Sequence, residues 1–482
     1  MAQESVPHHG VLVAGTWILD TESAPVVDKF SGRVVATVGS AGAELVDRSV
    51  TAASAASSRR PLPPRRRAEI LRGAADLLET NAWEVVTDYV SETGFTLADA
   101  RTELARACDT LRLSAEEAVR LTGEMVPVGS AARSEDRLAF TLRVPVGVVV
   151  AIVPFNAPLN TLVHKVGPAI AAGNAVLVKP AEATPLSAVH VCRALLEAGL
   201  PGELLSLLPG PGETTGRLLV QDPRVRYFTF TGSTAVGLFI KQHSGIAKTH
   251  LELGANSATI VCDDADLDRV TDAVAQAGFR KAGQVCTSVQ RVLVDRAVAD
   301  DLEQLLAARV GSLVAGDPRD ADTQVGPMIA AAEAERATAW VTAASESGAS
   351  VLVGGTHEAG LMRPTLLSDV PVDARVMHDE IFAPVVALHR VSGLDEAVET
   401  VNRGRYGLQA GLFTNSVERA FSAAHRLQVG GVMVNDTSSY HADLMPYGGV
   451  KNSGYGVEGP RYAVQDMTDP RIVVLNHVVP HW

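Results

Sequence analysis

From residue 146 onward the chain alternates short, nearly continuous apolar runs with helix-length stretches, and this alternation restricts the fold more than any other feature. Runs at 146–153, 175–178, 204–208 and 225–230 are followed, after one more helical stretch, by a strand around Leu251. Strands this apolar are buried on both faces, which suits a parallel sheet, because each parallel crossover needs a helix and those helices cover the sheet. The first series therefore reads as a Rossmann-like unit. A second series after Gly254, at 258–262, 289–294, 385–389, 411–414 and 432–435, implies a second α/β domain. At 482 residues the chain exceeds what one core usually fills, so two or three domains are expected. Upstream, Ile70, Leu71, Ala74, Leu77 and Leu78 recur at helical spacing, as do Leu104, Cys108, Leu111, Ala115 and Ala118, so the opening half reads as core-facing helices. The β-branched segment 471–476 comes too late to begin a core and is expected to pair with another sheet or another subunit.

Composition removes several function classes. A net charge of -13 gives no electrostatic footprint for nucleic acid or an acidic membrane. The basic run Arg59, Arg60, Arg65, Arg66 and Arg67 leads into a helix and reads as a solvated face. Cys108, Cys192, Cys262 and Cys286 are scattered, with no CxxC pair and no zinc spacing, which fits a reducing compartment. His164 and His441 lack carboxylates at ligand spacing, so no metal is expected. No stretch approaches the roughly 20 apolar residues that span a bilayer, and no signal segment opens the chain, so the expectation is a cytoplasmic protein.

Four segments carry residues suited to chemistry. Cys286 lies among small polar neighbours just before an apolar strand, the setting of a partly exposed nucleophile, although a free cysteine also serves as buried filler. Glu252 ends the last strand of the first series, as a base or as a solvated carboxylate. Gly232-Ser233-Thr234-Ala235-Val236-Gly237 follows one strand and opens a helix, where backbone N–H groups can hold a pyrophosphate or simply cap the helix. Lys179-Pro180-Ala181-Glu182 puts a cation and a carboxylate at the C-terminal edge of a parallel sheet, where dinucleotides bind, or forms a surface ion pair there.

Together these segments resemble the aldehyde dehydrogenase superfamily, from about Phe140 to Thr468, with motifs in the family's order. The resemblance rests on Pro154-Phe155-Asn156-Ala157-Pro158, Lys179-Pro180-Ala181-Glu182, Phe230-Thr231-Gly232-Ser233-Thr234, Glu252-Leu253-Gly254 and Gly283-Gln284-Val285-Cys286. It continues through Glu380-Ile381-Phe382-Ala383-Pro384 and Pro446-Tyr447-Gly448-Gly449-Val450-Lys451. It implies a Rossmann-like NAD(P)-binding domain (1–125 and 145–253), a second α/β catalytic domain (254–437), and a small β oligomerisation arm with the C-terminal segment (126–144 and 438–482). It implies Cys286 as nucleophile, Glu252 as general base and Asn156 as oxyanion donor, a role worth about 3 kcal/mol. Lys179 and Glu182 would hold the adenosine ribose, Ser233 the pyrophosphate and Glu380 the nicotinamide ribose, with Pro154, Phe155, Gly232, Gly237, Leu253 and Phe382 completing the cofactor cleft. NAD is the expected cofactor and NADP a permitted one. The partner is a small-molecule aldehyde, and the assembly a homodimer or homotetramer.

The sequence also departs from the family pattern, with Phe155 where tryptophan is common, and Ala255 and Ala383 where glycine stands. Ala255 would be strained if its backbone required positive φ. Leu253-Gly254-Ala255-Asn256-Ser257 and Met445-Pro446-Tyr447-Gly448-Gly449 look like the branch acting on lactaldehyde, glyceraldehyde 3-phosphate, phosphonoacetaldehyde and other small polar aldehydes. Val285 stands where relatives that bind phosphate or phosphonate aldehydes often carry arginine, which argues against an anionic substrate. Arg106, Arg112, Ala157, Val285, Thr287, Tyr440 and His441 are the candidates for the substrate pocket. The rival functions are acylation of coenzyme A, which the presence of Glu252 disfavours, thiol-esterase action without redox chemistry, and non-catalytic NAD binding on the same scaffold.

Overall fold

The computed structural model describes residues 6–477, so the extreme ends of the first and last expected segments lie outside the described residues. Two large sheets dominate. The first has eight strands, of which Lys248–Glu252, Tyr227–Thr231, Val148–Ile152, Ala175–Lys179 and Leu205–Leu207 run parallel in that spatial order. Gly454–Tyr455 closes one edge antiparallel, and Val11–Val13 followed by Thr16–Ile18 closes the other. The parallel strands are nearly all buried, as their continuous apolar runs require.

The second sheet has seven strands, in the order Ser350–Val353, Thr365–Ser368, Val385–Val391, Arg291–Asp295, Ala258–Val261, Gln409–Phe413 and Gly431–Val434. Only the first of these is antiparallel. Thr365–Ser368 and Ser350–Val353 were not expected. Each is four residues long, too short to show a period. The segment 471–476 pairs within its own chain: Thr468–Asn476 runs antiparallel to Arg137–Pro145, and Met125–Val126 completes a three-stranded sheet.

The expectation of a helical opening half needs correction. Short strands at His8–His9, Val11–Val13, Thr16–Ile18, Ser23–Val27 and Val34–Gly39 precede any helix. They are two to six residues long, so the later helical periodicity outweighed them. The helices that follow behave as their patterns require. Leu97–Arg120 begins at a capping box, with Thr96 accepting from the Asp99 N–H and Asp99 accepting from the Thr96 N–H. It buries Leu104, Ala107, Cys108, Leu111 and Ala115 against Pro64–Thr80 and Asn160–Ala172. Truncating Leu111 to alanine there costs about 2–5 kcal/mol. Among the described residues no helix is long and apolar enough to cross a membrane.

Candidate active site

The site forms where the strand ends of the two large sheets meet. Asn156 follows the strand Val148–Ile152, Glu252 ends Lys248–Glu252, and Cys286 precedes Arg291–Asp295. The turn that delivers Cys286 is left-handed over three residues, Lys281 (φ 53°), Ala282 (φ 52°) and Gly283 (φ 68°). Lys281 is held there by an ion pair with Glu103 and by donation to the Asn156 carbonyl at 3.0 Å. A buried charge pair stabilises the turn through its geometry, and removing one partner alone would leave a costly unpaired charge.

Cys286, Glu252 and Asn156 line one narrow cavity of about 90 Å³. Of the four cysteines, Cys286 alone is only partly buried. Its Sγ is 3.0 Å from the Tyr447 hydroxyl. Burial pushes the thiol up to about 11, the Glu252 and Glu380 charges add to this, and the Tyr447 hydrogen bond and Arg280 oppose it. The Asn156 side chain makes no hydrogen bond to any described residue, so its amide is available to a ligand oxygen in the cavity.

Glu252 is 3% exposed, and burial raises its carboxyl to about 7. His250 lowers it through a 3.0 Å hydrogen bond to one oxygen, while the other oxygen has no partner among the described residues. Glu458 lies in the same cavity. Against the upward push of burial, Lys165 and the nearby histidines hold its carboxyl well below the usual range. Lys165 itself is fully buried and donates to Thr231 at 2.8 Å and to Glu458 at 3.3 Å.

The far end of the cavity is cationic. Arg106 grips Asp443 with two hydrogen bonds, of 2.7 and 3.1 Å, and its Nη2 lies 2.7 Å from His441 Nδ1. Asn160 and His164 also bond to Asp443. These partners outweigh burial and hold the Asp443 carboxyl far below its usual value. Burial, with His164 and Arg106, lowers His441 to about 4. Arg280 differs from Arg106: it makes a 2.9 Å bond to the Ser439 hydroxyl and, among the described residues, no ion pair. Burial lowers its pKa, and the charges of Asp99 and Glu103 compensate only in part.

The structure gathers Arg106, Ala157, Val285, Thr287 and His441 around the cavity with Cys286. Tyr440 and Arg112 are corrections. Tyr440 is 51% exposed and does not line the cavity, although its neighbour His441 does. Arg112 pairs with Glu79 and Asp76 on the helix surface. The sequence reading missed Arg280, Tyr447, Asp443, His250, Lys165 and Glu458 as site residues. Of these, only Tyr447 lay in a quoted motif, and nothing local marks the rest.

The residues expected to hold a dinucleotide lie along the same strand ends. The helix Thr234–His243 starts immediately after Ser233, whose hydroxyl accepts from the Val236 N–H. A Cβ on Gly232 would meet the Phe230 ring, and one on Gly237 the Leu253 side chain, so a larger residue at either place would make that neighbour shift. Lys179 ends its strand 5% exposed, and Glu182 accepts from the Gly212 N–H at 2.8 Å. Phe155, next to Pro154 and Asn156, packs edge-on against Phe382 with ring centres 5.8 Å apart. Glu380 accepts from the Ala255 N–H at 2.9 Å, and burial raises its carboxyl to about 7. Ala255 is not among the positive-φ residues, so its side chain brings no backbone strain. A Cβ on the neighbouring Gly254 would stand 2.6 Å from Glu380. N–H groups at a helix start, a lysine and a carboxylate at a parallel sheet's edge fit a dinucleotide's pyrophosphate and ribose.

Comparison with known proteins agrees with this geometry. The model of the aldehyde dehydrogenase family matches residues 17–473. The 3-sulfolactaldehyde dehydrogenase of Priestia aryabhattai is 45% identical over 471 residues, 98% of each chain. Aldehyde dehydrogenase 21 from Physcomitrella patens, solved in complex with the reaction product succinate, superposes with a TM-score of 0.95 at 35% identity, covering 98% of this chain and 99% of that one. The NADP-dependent glyceraldehyde-3-phosphate dehydrogenase of Bacillus halodurans, complexed with NADP, gives a TM-score of 0.95 at 34% identity over 98% and 100% of the two chains.

Proposed function

The chain belongs to the aldehyde dehydrogenase family, and from that premise we propose that it oxidises a small aldehyde bearing an anionic group to its carboxylic acid, reducing NAD(P). The observation that carries the substrate class is Arg280, a half-buried guanidinium without an ion-paired carboxylate among the described residues, in the cavity that holds Cys286. A guanidinium with free donors facing the cavity favours an anion, and a sulfonate, carboxylate or phosphate on the substrate would supply the charge-assisted hydrogen bonds it lacks. The related enzymes named for 3-sulfolactaldehyde and solved with succinate both handle molecules with such a group. Val285 before the nucleophile is no obstacle on this reading, because the cation comes from Arg280 instead.

In the first step the Cys286 thiol loses its proton to water and the sulfur adds to the aldehyde carbon, forming a carbon–sulfur bond and placing negative charge on oxygen. The Asn156 amide and the Cys286 backbone N–H stabilise that charge. NAD(P), when bound, would supply the hydride acceptor for this oxidation to the thioester. Glu252 then takes a proton from water, the hydroxide attacks the thioester carbonyl, and the carbon–sulfur bond breaks to release the acid and return the thiolate. A base near pKa 7 suits this step, since it is substantially ionised at neutral pH yet basic enough to take the proton. Lys179, Glu182, Ser233 and Glu380 hold the nucleotide on the same reading.

The sheet of Met125–Val126, Arg137–Pro145 and Thr468–Asn476 serves as the arm of a cytoplasmic homo-oligomer, and its exposed Leu142, Ile472 and Val474 supply apolar contact area. The test is the ultraviolet band of the reduced nicotinamide, followed with NAD or NADP and matched pairs of anionic and neutral small aldehydes. Reduction that favours the anionic partner and vanishes in Cys286→Ala is expected. Equal kcat/KM across each pair would overturn the substrate class, and reduction that survives Cys286→Ala would overturn the mechanism.

A further inference from the structure

His250 has no role in the chemistry described so far, yet it touches the general base. It precedes Glu252 by two residues on one strand, so both side chains leave the same face. Its Nε2 lies 3.0 Å from Glu252 Oε1, and both residues are 3% exposed. The slot for the ring is closely fitted. The antiparallel strand pairs Leu251 with Tyr455 and Glu252 with Gly454. It then turns at Gly456 (φ +99°), where a Cβ would come within 2.6 Å of His250 Cδ2. Both the backbone angle and the space at 456 therefore require glycine, and the same segment goes on to Glu458.

We infer that His250 is a positioning residue for the hydrolytic step, its imidazole holding one oxygen of the Glu252 carboxylate so that the second, unpartnered oxygen meets the attacking water. This rests on the hydrolytic reading given above. With Glu252 ionised, the ring donates from Nε2 and the carboxylate accepts, which fixes the side-chain torsions and stabilises the charged base. When Glu252 takes the proton from water, that stabilisation is relaxed and the hydroxide completes the attack on the thioester. The other groups facing Glu252 are Glu458, which disfavours its charge, Lys165, which favours it, and the Cys286 thiol and Tyr447 hydroxyl across the cavity. Of these, His250 is the one hydrogen-bonded to the Glu252 carboxylate among the described residues.

The experiment separates the two half-reactions. Rapid mixing of the holoenzyme with aldehyde reads acylation as a burst of reduced nicotinamide, and the steady state reads hydrolysis when hydrolysis limits. His250→Phe keeps the ring volume and removes the donor, and His250→Gln returns an N–H near the position of Nε2. For His250→Phe the expected result is an intact burst, a steady-state rate about tenfold lower at neutral pH, and an acid limb of kcat displaced upward by about one pH unit, with recovery in His250→Gln. His250→Ala, which adds no bulk, is read in the same way should the phenylalanine variant not fold. An acid limb that coincides with that of the unmodified enzyme would overturn the positioning role, whether or not the rate falls. Absence of any nicotinamide reduction in the unmodified enzyme would instead count against the hydrolytic reading itself.

Discussion

The two ends of the reaction cavity are both withdrawn from solvent, Glu252 more completely than Asp443, and they tune their carboxylates in opposite directions. At one end burial raises Glu252 to about 7, because its direct partner is a single histidine. At the other end Asp443, facing Arg106, Asn160 and His164, is driven far below its ordinary value. Burial alone would raise both. What separates them is the number of donors and cations that reach each carboxylate, which makes Glu252 a titrating base and Asp443 a permanent counter-charge. Arg280 belongs to neither arrangement. It brings positive charge into the cavity without an ion pair to any carboxylate among the described residues.

Removing the base should produce the largest effect. Glu252→Gln is expected to lower steady-state turnover by about 10²–10⁴-fold while leaving the burst of reduced nicotinamide in place, as rapid-mixing kinetics would record. A burst lost together with turnover would mean that Glu252 also serves acylation. At the opposite end, Asp443→Asn leaves the partly exposed Arg106 without its carboxylate and should cost about 1.5–3 kcal/mol of stability, read from denaturant unfolding. A near-neutral result would show that the two ends do not differ in kind. Arg280→Gln removes the unmatched cation. It should raise KM for anionic aldehydes about 10–100-fold, corresponding to one charged hydrogen bond, with little change for neutral ones.

The same contrast explains what could be read from sequence. Glu252 and Cys286 announced themselves because each lies in a short motif at a strand boundary. The parallel strands did so because burial on both faces forces an uninterrupted apolar run. Arg280 carried no such mark. It lies in Phe279-Arg280-Lys281, an ordinary basic pair after a helix, and only the left-handed turn at Lys281 and Ala282 brings it to the cavity. His250 looked like one polar residue in a half-buried strand, since its partner and the glycine that closes its slot come together only through the pairing with Gly454–Tyr455. Tyr440 was expected in the pocket beside His441, but adjacency in sequence does not decide which side chain faces the cavity. The short N-terminal strands were lost for another reason: two to six residues do not establish a period.

The smallest effect concerns stability against pH, where the two ends should again part. Glu252 and Glu380 both have carboxyls raised from about 4.5 to about 7 by burial. Between those values the folded state holds more protons than the unfolded one, so the stability they contribute falls as pH rises from 4.5 and levels off above about 7. Replacing Glu380 by Gln should therefore gain about 1–3 kcal/mol at pH 8 relative to the unmodified protein, and nothing below about pH 4.5. Asp443 has the opposite sign. Its folded value lies below 3.8, so its contribution is complete above that pH and disappears only as pH falls further. Unfolding curves for Glu380→Gln and Asp443→Asn at pH 5 and pH 8 measure the contrast directly. The glutamate variant should gain on the unmodified protein as pH rises across that interval, whereas the aspartate variant's deficit should stay constant. A deficit for Asp443→Asn that varied over the same interval would show that Asp443 is not a permanent counter-charge.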